Sequence, residues 1–283
     1  MAKATKLKSK ISDIKGIEKI THAMQLVASA KLKKIANLIW PIKQYALEVY
    51  DVFNKIITQS QKSIYLHNNK EKLNNALWIV VNSNLGLCGG YNLNVNKIVL
   101  KNFKENDALF IIGSKGKTFF NARNKKIIGF ENTQLNFSNQ VSKKIALKIH
   151  DFYIKKQYRQ IKIAYTKFIN NILFEPIILD LLPIFKQSKK GLKTTSQVTE
   201  FDPGVEEILN QGIILYLNTI IYSSIMESQV CEYASRRLAM ENATQNAKDL
   251  IKKLSLTYNR IRQDSITQEI TEIVVGSDAQ KKQ

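Results

Sequence analysis

A chain of 283 residues, 44% hydrophobic and 23% charged, can bury one large or two modest cores and is too apolar for a disordered tail. Its 43 lysines and arginines against 23 acidic residues give a formal net charge of +20, which points to an acidic partner: nucleic acid, an anionic membrane face or an acidic protein surface. Cys88 and Cys231 stand far apart without C-x-x-C spacing, which excludes a disulfide scaffold and a zinc–cysteine site and fits a reducing compartment.

The N-terminal Met1-Ala-Lys-Ala-Thr-Lys-Leu-Lys8 is basic but has no apolar core behind it, so no secretory signal is expected. The most apolar run, Ile208 to Ile225, is interrupted by Asn210, Gln211 and Asn218, and no membrane span is expected there. Lysine, asparagine and isoleucine are used freely in place of arginine, alanine and valine. Part of the positive charge is therefore a compositional habit of the source genome.

From Lys3 to about Thr58 the only glycine is Gly16 and the only proline is Pro41, which predicts one long helix bent at Pro41. Counting by sevens from Leu7 gives Leu7, Ile14, Thr21, Ala28, Ile35, Ile42, Val49 and Ile56. The positions three later include Ile17, Met24, Leu38, Tyr45 and Val52, with Lys10 and Lys31 as interruptions. This is the a/d seam of a coiled coil.

From about Asn74 to Glu200 short apolar runs alternate with amphipathic stretches. Leu77–Val81, Leu109–Ile112, Ile127–Phe130, Ile161–Tyr165 and Ile177–Leu182 read as strands, and Asn92–Phe103, Lys115–Asn124 and Ser138–Lys156 as helices. Such alternation predicts a Rossmann-like α/β domain with a largely parallel sheet. Lys186–Gln197 reads as an exposed loop.

Asp202 and Pro203 read as an N-cap and first helical residue, with Glu206 and Glu207 favoured in the first turn. A second long helix follows from Val205 to Val275, with Met240, Ala243, Ala247, Leu250, Leu254 and Ile261 on a seam and Gly276 as its stop. The predicted class is α/β: a long antiparallel coiled coil of N- and C-terminal helices with the α/β domain inserted. The divisions are 1–58, a linker 59–73, 74–200 and 201–283. At 1.5 Å per residue the helices measure about 80 and roughly 110 Å, so the second outruns the first. Leu7 falls beside the Lys253 region, and the helix beyond about Asn259 stands alone with Ile261, Ile266, Ile270, Ile273 and Val274 mostly on one face. Such a stripe requires a sleeve from another chain.

Catalytic motifs are weak. Gly113-Ser-Lys-Gly-Lys-Thr118 ends like a phosphate-binding loop, but Ile111 stands where the pattern needs its first glycine, so it reads as a strand-to-helix turn. Asn84-Leu-Gly-Leu-Cys-Gly-Gly-Tyr91 lacks dinucleotide spacing and is expected to be a structural turn. Cys88 reads as a buried small hydrophobe, without a neighbouring base. His22, His67 and His150 have no second ligand at i+3 or i+4, so no metal, cofactor or catalytic constellation is expected. The lysines from Lys3 to Lys34 meet only Asp13 and Glu18, and no aromatic stands before Trp40 to stack on a base.

Four segments carry a resemblance: Ile20-Thr-His-Ala-Met-Gln-Leu-Val-Ala-Ser-Ala-Lys-Leu-Lys-Lys34, Gly86-Leu-Cys-Gly-Gly-Tyr-Asn92, Ile112-Gly-Ser-Lys-Gly116 and Ile266-Thr-Gln-Glu-Ile-Thr-Glu-Ile-Val-Val-Gly276. Together they resemble the gamma subunit of the F-type ATP synthase across nearly the whole chain. The resemblance implies a non-catalytic rotor shaft inside a hexamer of alpha and beta subunits, on the cytoplasmic face of a bacterial membrane. It further implies an α/β foot against the epsilon subunit and the ring of c subunits, with no cofactor and no nucleic acid. It places Met24 and Arg236 near an acidic beta lever, Gln263, Thr267 and Glu269 against a second beta segment, and Ile266, Ile270, Ile273 and Val274 in the hexamer sleeve. Asn84 and Leu85 replace the family's usual Asp-Arg. With the lysine and asparagine bias, this suits a small-genome bacterium such as a mollicute. Two alternatives remain: the shaft of a paralogous F-type-like motor not joined to a proton channel, and a basic coiled-coil nucleic-acid-binding protein.

Overall fold

The computed structural model describes residues 2–60, 63–66, 75–132, 138–170, 173–184 and 204–280. The elements in chain order are α1 (Ala2–Gln59), β1 (Ala76–Val81), α2 (Tyr91–Asn102), β2 (Ala108–Ile112), α3 (Ser114–Asn121), β3 (Ile127–Glu131), α4 (Asn139–Ile154), β4 (Gln160–Phe168), β5 (Phe174–Leu182) and α5 (Val205–Gln280). They fall into two compact units, Ala30–Ser235 and the pair Met1–Ser29 with Arg236–Gln283. The predicted strands and helices of the α/β region are all present. Lys186–Gln197, His67 and the Asp202-Pro203 cap lie outside the described residues.

In the unit Ala30–Ser235 the sheet order is β3-β2-β1-β4-β5. The first four strands are parallel, with Leu77 opposite Ala108 on one side and Ile161 on the other, and β5 closes one edge antiparallel, with Tyr165 opposite Ile177. All six residues of β1 are buried because helices cover both faces. Trp78 and Val80 point into one layer with Val95 and Val99 of α2 and Phe120 of α3. Leu77, Ile79 and Val81 point into the other, with Ile145 and Ile149 of α4, Phe53, Ile56 and Ile57 of α1, and Leu209, Ile213, Leu217, Ile221 and Ile225 of α5. Gly212 lets α5 press on α1: a Cβ there would stand 2.7 Å from the Phe53 ring. The apolar run of α5 includes an 18-residue window apolar enough to cross a bilayer, and half of it is buried in this core.

In the other unit the first half of α1 pairs with the last part of α5. Thr244 donates to Thr21 at 2.8 Å, which fixes their register. The expected positions Ile14 and Ala28 are buried, but Ile17 stays 54% exposed. Met24 is half-buried as the count expected, but the other buried or half-buried partners are four residues on: Ile11, Glu18 and Gln25 in this unit, and Leu32, Ile39, Ala46 and Phe53 further along α1. Positions three and four residues away both lie near one helical face, and only the side on which α5 and the core lie decides between them. Likewise Ile251 is half-buried while Leu250 is exposed.

Pro41 lies inside an unbroken α1, as the reading of one long helix expected. One helix boundary differs from expectation. α5 passes through Gly276 to Gln280, since glycine permits a left-handed cap but does not impose one. The Thr21–Thr244 register also sets Leu7 level with about Tyr258, not Lys253, so the unsheltered end begins later. Ile261 and Ser265 are half-buried, and every residue from Ile266 to Val275 is exposed.

Candidate functional site

The open end of a doubly wound sheet, where the strand order reverses, is the usual place for a ligand. Here α5 side chains pack against the last residues of β4 and the start of α2. Ser228 Oγ pairs with Tyr91 Oη at 2.7 Å and accepts from Thr166 N at 3.3 Å. Cys231 packs with Cys88, Tyr91, Phe168 and Phe174. Burial, with nearby Glu227 acting in the same direction, pushes the Cys231 thiol well above its ordinary range, which disfavours the reactive thiolate.

The two glycine-containing turns pack on each other. Asn92 Oδ1 accepts from Ser83 N at 2.9 Å, and Asn92 Nδ2 reaches Ser83 Oγ at 2.7 Å and Cys88 Sγ at 3.3 Å. Across the gap, Asn84 Oδ1 accepts from Ser114 N at 3.1 Å and Asn84 O from Ser114 Oγ at 2.9 Å. Gly113 has a φ of 94°, and a side chain there would strike the Asn82 backbone. One on Gly116 would strike the Asn82 carboxamide and stand 2.9 Å from Ile111. These glycines serve close packing between turns, and Lys117 lies over the Phe130 ring at 4.7 Å. The Gly-Lys-Thr ending is thus part of a packed α3 and its edge strand, as the turn reading expected.

His22 is exposed on α1, and His150 meets Tyr65 Oη at 2.9 Å. Among the described residues no group of three or more histidine, cysteine or acidic side chains is placed to hold a metal.

The residues expected to meet a partner lie in the unit of α1 start and α5 end. Met24 is half-buried and Arg236 is buried with partners of its own. The register sets Met24 level with about Glu241, so Arg236 is roughly 7–8 Å further along the axis. Gln263, Thr267 and Glu269 are exposed; Thr267 Oγ1 donates to Gln263 O at 3.0 Å, one turn back. Ile266, Ile270, Ile273 and Val274 are 48%, 57%, 72% and 53% exposed, an apolar stripe that this unit leaves in water. Even full aliphatic burial is worth about 25 cal/mol per Å², so four such side chains are a large unmet gain.

Sequence reasoning missed the cluster around Glu227. Its Oε1 accepts from Lys43 Nζ at 3.0 Å and from Phe168 N at 3.2 Å, and the residue is 4% exposed. Tyr165 hydrogen-bonds to Glu227 and to Ser224, and burial followed by the Glu227 charge pushes its phenol well above the ordinary range. The signal was present as an acid, Glu227, within the buried run Ser223 to Glu232 of α5.

A family described as ATP synthase matches residues 3–279. The ATP synthase gamma chain of Mycoplasma capricolum subsp. capricolum is 51% identical over 96% of this chain and 97% of that one. The gamma chain of Mesoplasma florum is 50% identical over 99% of each. In fold, the chain is similar to one in the OSCP/F1/c-ring assembly of the Euglena gracilis mitochondrial ATP synthase. That match has a TM-score of 0.72 and 16% identity, covering 98% of this chain and 94% of that one. With a family match from residue 3 to 279 and about half of all positions identical to relatives over nearly the whole of both chains, this chain belongs to the ATP synthase gamma chain family.

Proposed function

We propose that the chain is the non-catalytic central rotor of an F-type ATP synthase, coupling rotation inside the alpha/beta hexamer to ATP synthesis or hydrolysis and to ion translocation. The observation that carries this reading is the stripe Ile266, Ile270, Ile273 and Val274, exposed on a helix end that its own unit does not shelter. A hexamer sleeve supplies the missing burial, and the relatives' shared name is that of a rotary synthase subunit. Met24 and Arg236 contact the beta lever, and Gln263, Thr267 and Glu269 contact a second beta segment. Epsilon and the c-ring meet the α/β domain, which seats the chain peripherally at the cytoplasmic face of the membrane. The functional divisions are the helix 1–58, linker 59–73, α/β domain 74–200 and helix 201–283.

The exposed lysines of α1 suit this role. Screened surface charges each contribute only about 0–1 kcal/mol, so many replaceable contacts hold the rotor without one deep trap. The test is truncation after Ile261, which removes the stripe and leaves the Thr21–Thr244 pairing. Loss of stable assembly with the hexamer and of coupled turnover is expected. Wild-type affinity and turnover in the truncated complex overturn the reading.

A further inference from the structure

We propose that Glu227 is a torsional lock: its carboxylate holds α5 at one angle about its own axis against the sheet, so that torque on α5 is delivered to the α/β layers and not lost as slip. This rests on the rotor reading above. Packing sets that angle in part, through close contacts such as Gly212 against the Phe53 ring. The face of α5 that meets the core is otherwise a run of aliphatics, Ile213, Leu217, Ile221 and Ile225, and apolar attraction is itself non-directional.

Hydrogen bonds, by contrast, weaken steeply with angle. One oxygen of Glu227 takes Lys43 of α1 at 3.0 Å and the backbone of Phe168 in β4 at 3.2 Å. The Tyr165 hydroxyl, also on β4, hydrogen-bonds to the Glu227 side chain and to Ser224 one turn earlier on α5. The next residue, Ser228, takes the β4 backbone at Thr166 and the hydroxyl of Tyr91 at the start of α2. Two consecutive residues of α5 are thereby tied to α1, α2 and β4, and no single rotation of the helix keeps all of these bonds.

The burial of Glu227 fits orientation better than stability. Its side chain is 6% exposed against 36% for Lys43, so the pair loses much of its hydration. A buried pair of this kind is a poor stabiliser beside well-packed apolar residues, and its best-attested use is to specify one arrangement.

The experiment uses the full chain reconstituted with its alpha and beta subunits, the hexamer anchored to a surface and a probe fixed to the α/β domain. With the rotor at rest, the spread of probe angles reports torsional stiffness. Glu227→Gln keeps the size and one acceptor but replaces charge-assisted bonds by neutral ones about half as strong. The angular variance is expected to rise by up to roughly two-fold, and Lys43→Met is expected to move it the same way. Lys43→Arg, which restores the charge, is expected to return it toward the wild-type value. A role confined to stability lowers the melting temperature of Glu227→Gln and leaves the variance of assembled complexes unchanged; that result overturns the lock. Lys43 is half-exposed, so Lys43→Met tests the same bond if the Glu227 variant does not assemble. Absence of ATP-driven rotation in the wild-type complex sinks the rotor reading and the lock with it. Rotation with unaltered variance in both variants sinks the lock alone.

Discussion

Gly116 and Gly16 are the same residue type on helices and have opposite meanings. A Cβ on Gly116 meets the buried Asn82 carboxamide and the Ile111 side chain, whereas one on Gly16 meets nothing within 4 Å. Gly116→Ala is therefore expected to destabilise the protein by about 1–3 kcal/mol through overpacking. Gly16→Ala is expected to stabilise α1 by up to about 1 kcal/mol, because alanine loses less backbone freedom in a helix. Denaturant unfolding of the two variants checks the pair, and equal shifts contradict the packing account. Asn84 illustrates the same scale. Its amide oxygen accepts from Ser114 N, so it supplies an acceptor at the start of α3. Leu85 is 66% exposed, and its backbone carbonyl accepts from Ser83 Oγ at 2.6 Å.

For the long helices, the useful comparison is between neighbours on α1. Ile14 is 8% exposed and Ile17 is 54% exposed, although a heptad count makes both seam residues. Ile14→Ala is expected to cost about 2–4 kcal/mol of local stability and Ile17→Ala less than about 1 kcal/mol. Hydrogen exchange of the α1 amides in the isolated chain checks this: the Ile14 variant loses protection and the Ile17 variant retains it. The existence and length of both helices were legible, since a run of apolar positions at helical spacing with few breakers admits little else. Which of two adjacent stripes faces the partner was not. That depends on where the partner lies, and the Thr21–Thr244 bond that reveals it joins residues 223 apart in the chain.

Across the whole molecule, the +20 charge acts at a distance. Lys6, Lys8, Lys10, Lys15, Lys19, Lys33 and Lys34 are all exposed along α1. Under the rotor reading, the association rate with the catalytic hexamer is expected to fall by roughly ten-fold or more between low salt and about 0.5 M, since steering by opposite charge is screened beyond a Debye length. The truncated chain ending at Ile261 is expected to keep that salt dependence while losing the stable complex, because the lysines lie on the other helix. Stopped-flow association at several ionic strengths measures both, and a rate indifferent to salt contradicts the steering role.

The order of elements, the parallel sheet, the two long helices and the unsheltered stripe from Ile266 to Val274 were all determined by local pattern. Each follows from residues close in the chain, whose spacing states which face must be buried. The register of α1 on α5, the packing of Asn82 against Gly113 and Gly116, and the meeting of Glu227 with Lys43 and Phe168 were decided only by the tertiary structure. Those contacts join segments remote in sequence, and hydrophobic periodicity, being non-directional, is silent about which polar atoms end up face to face.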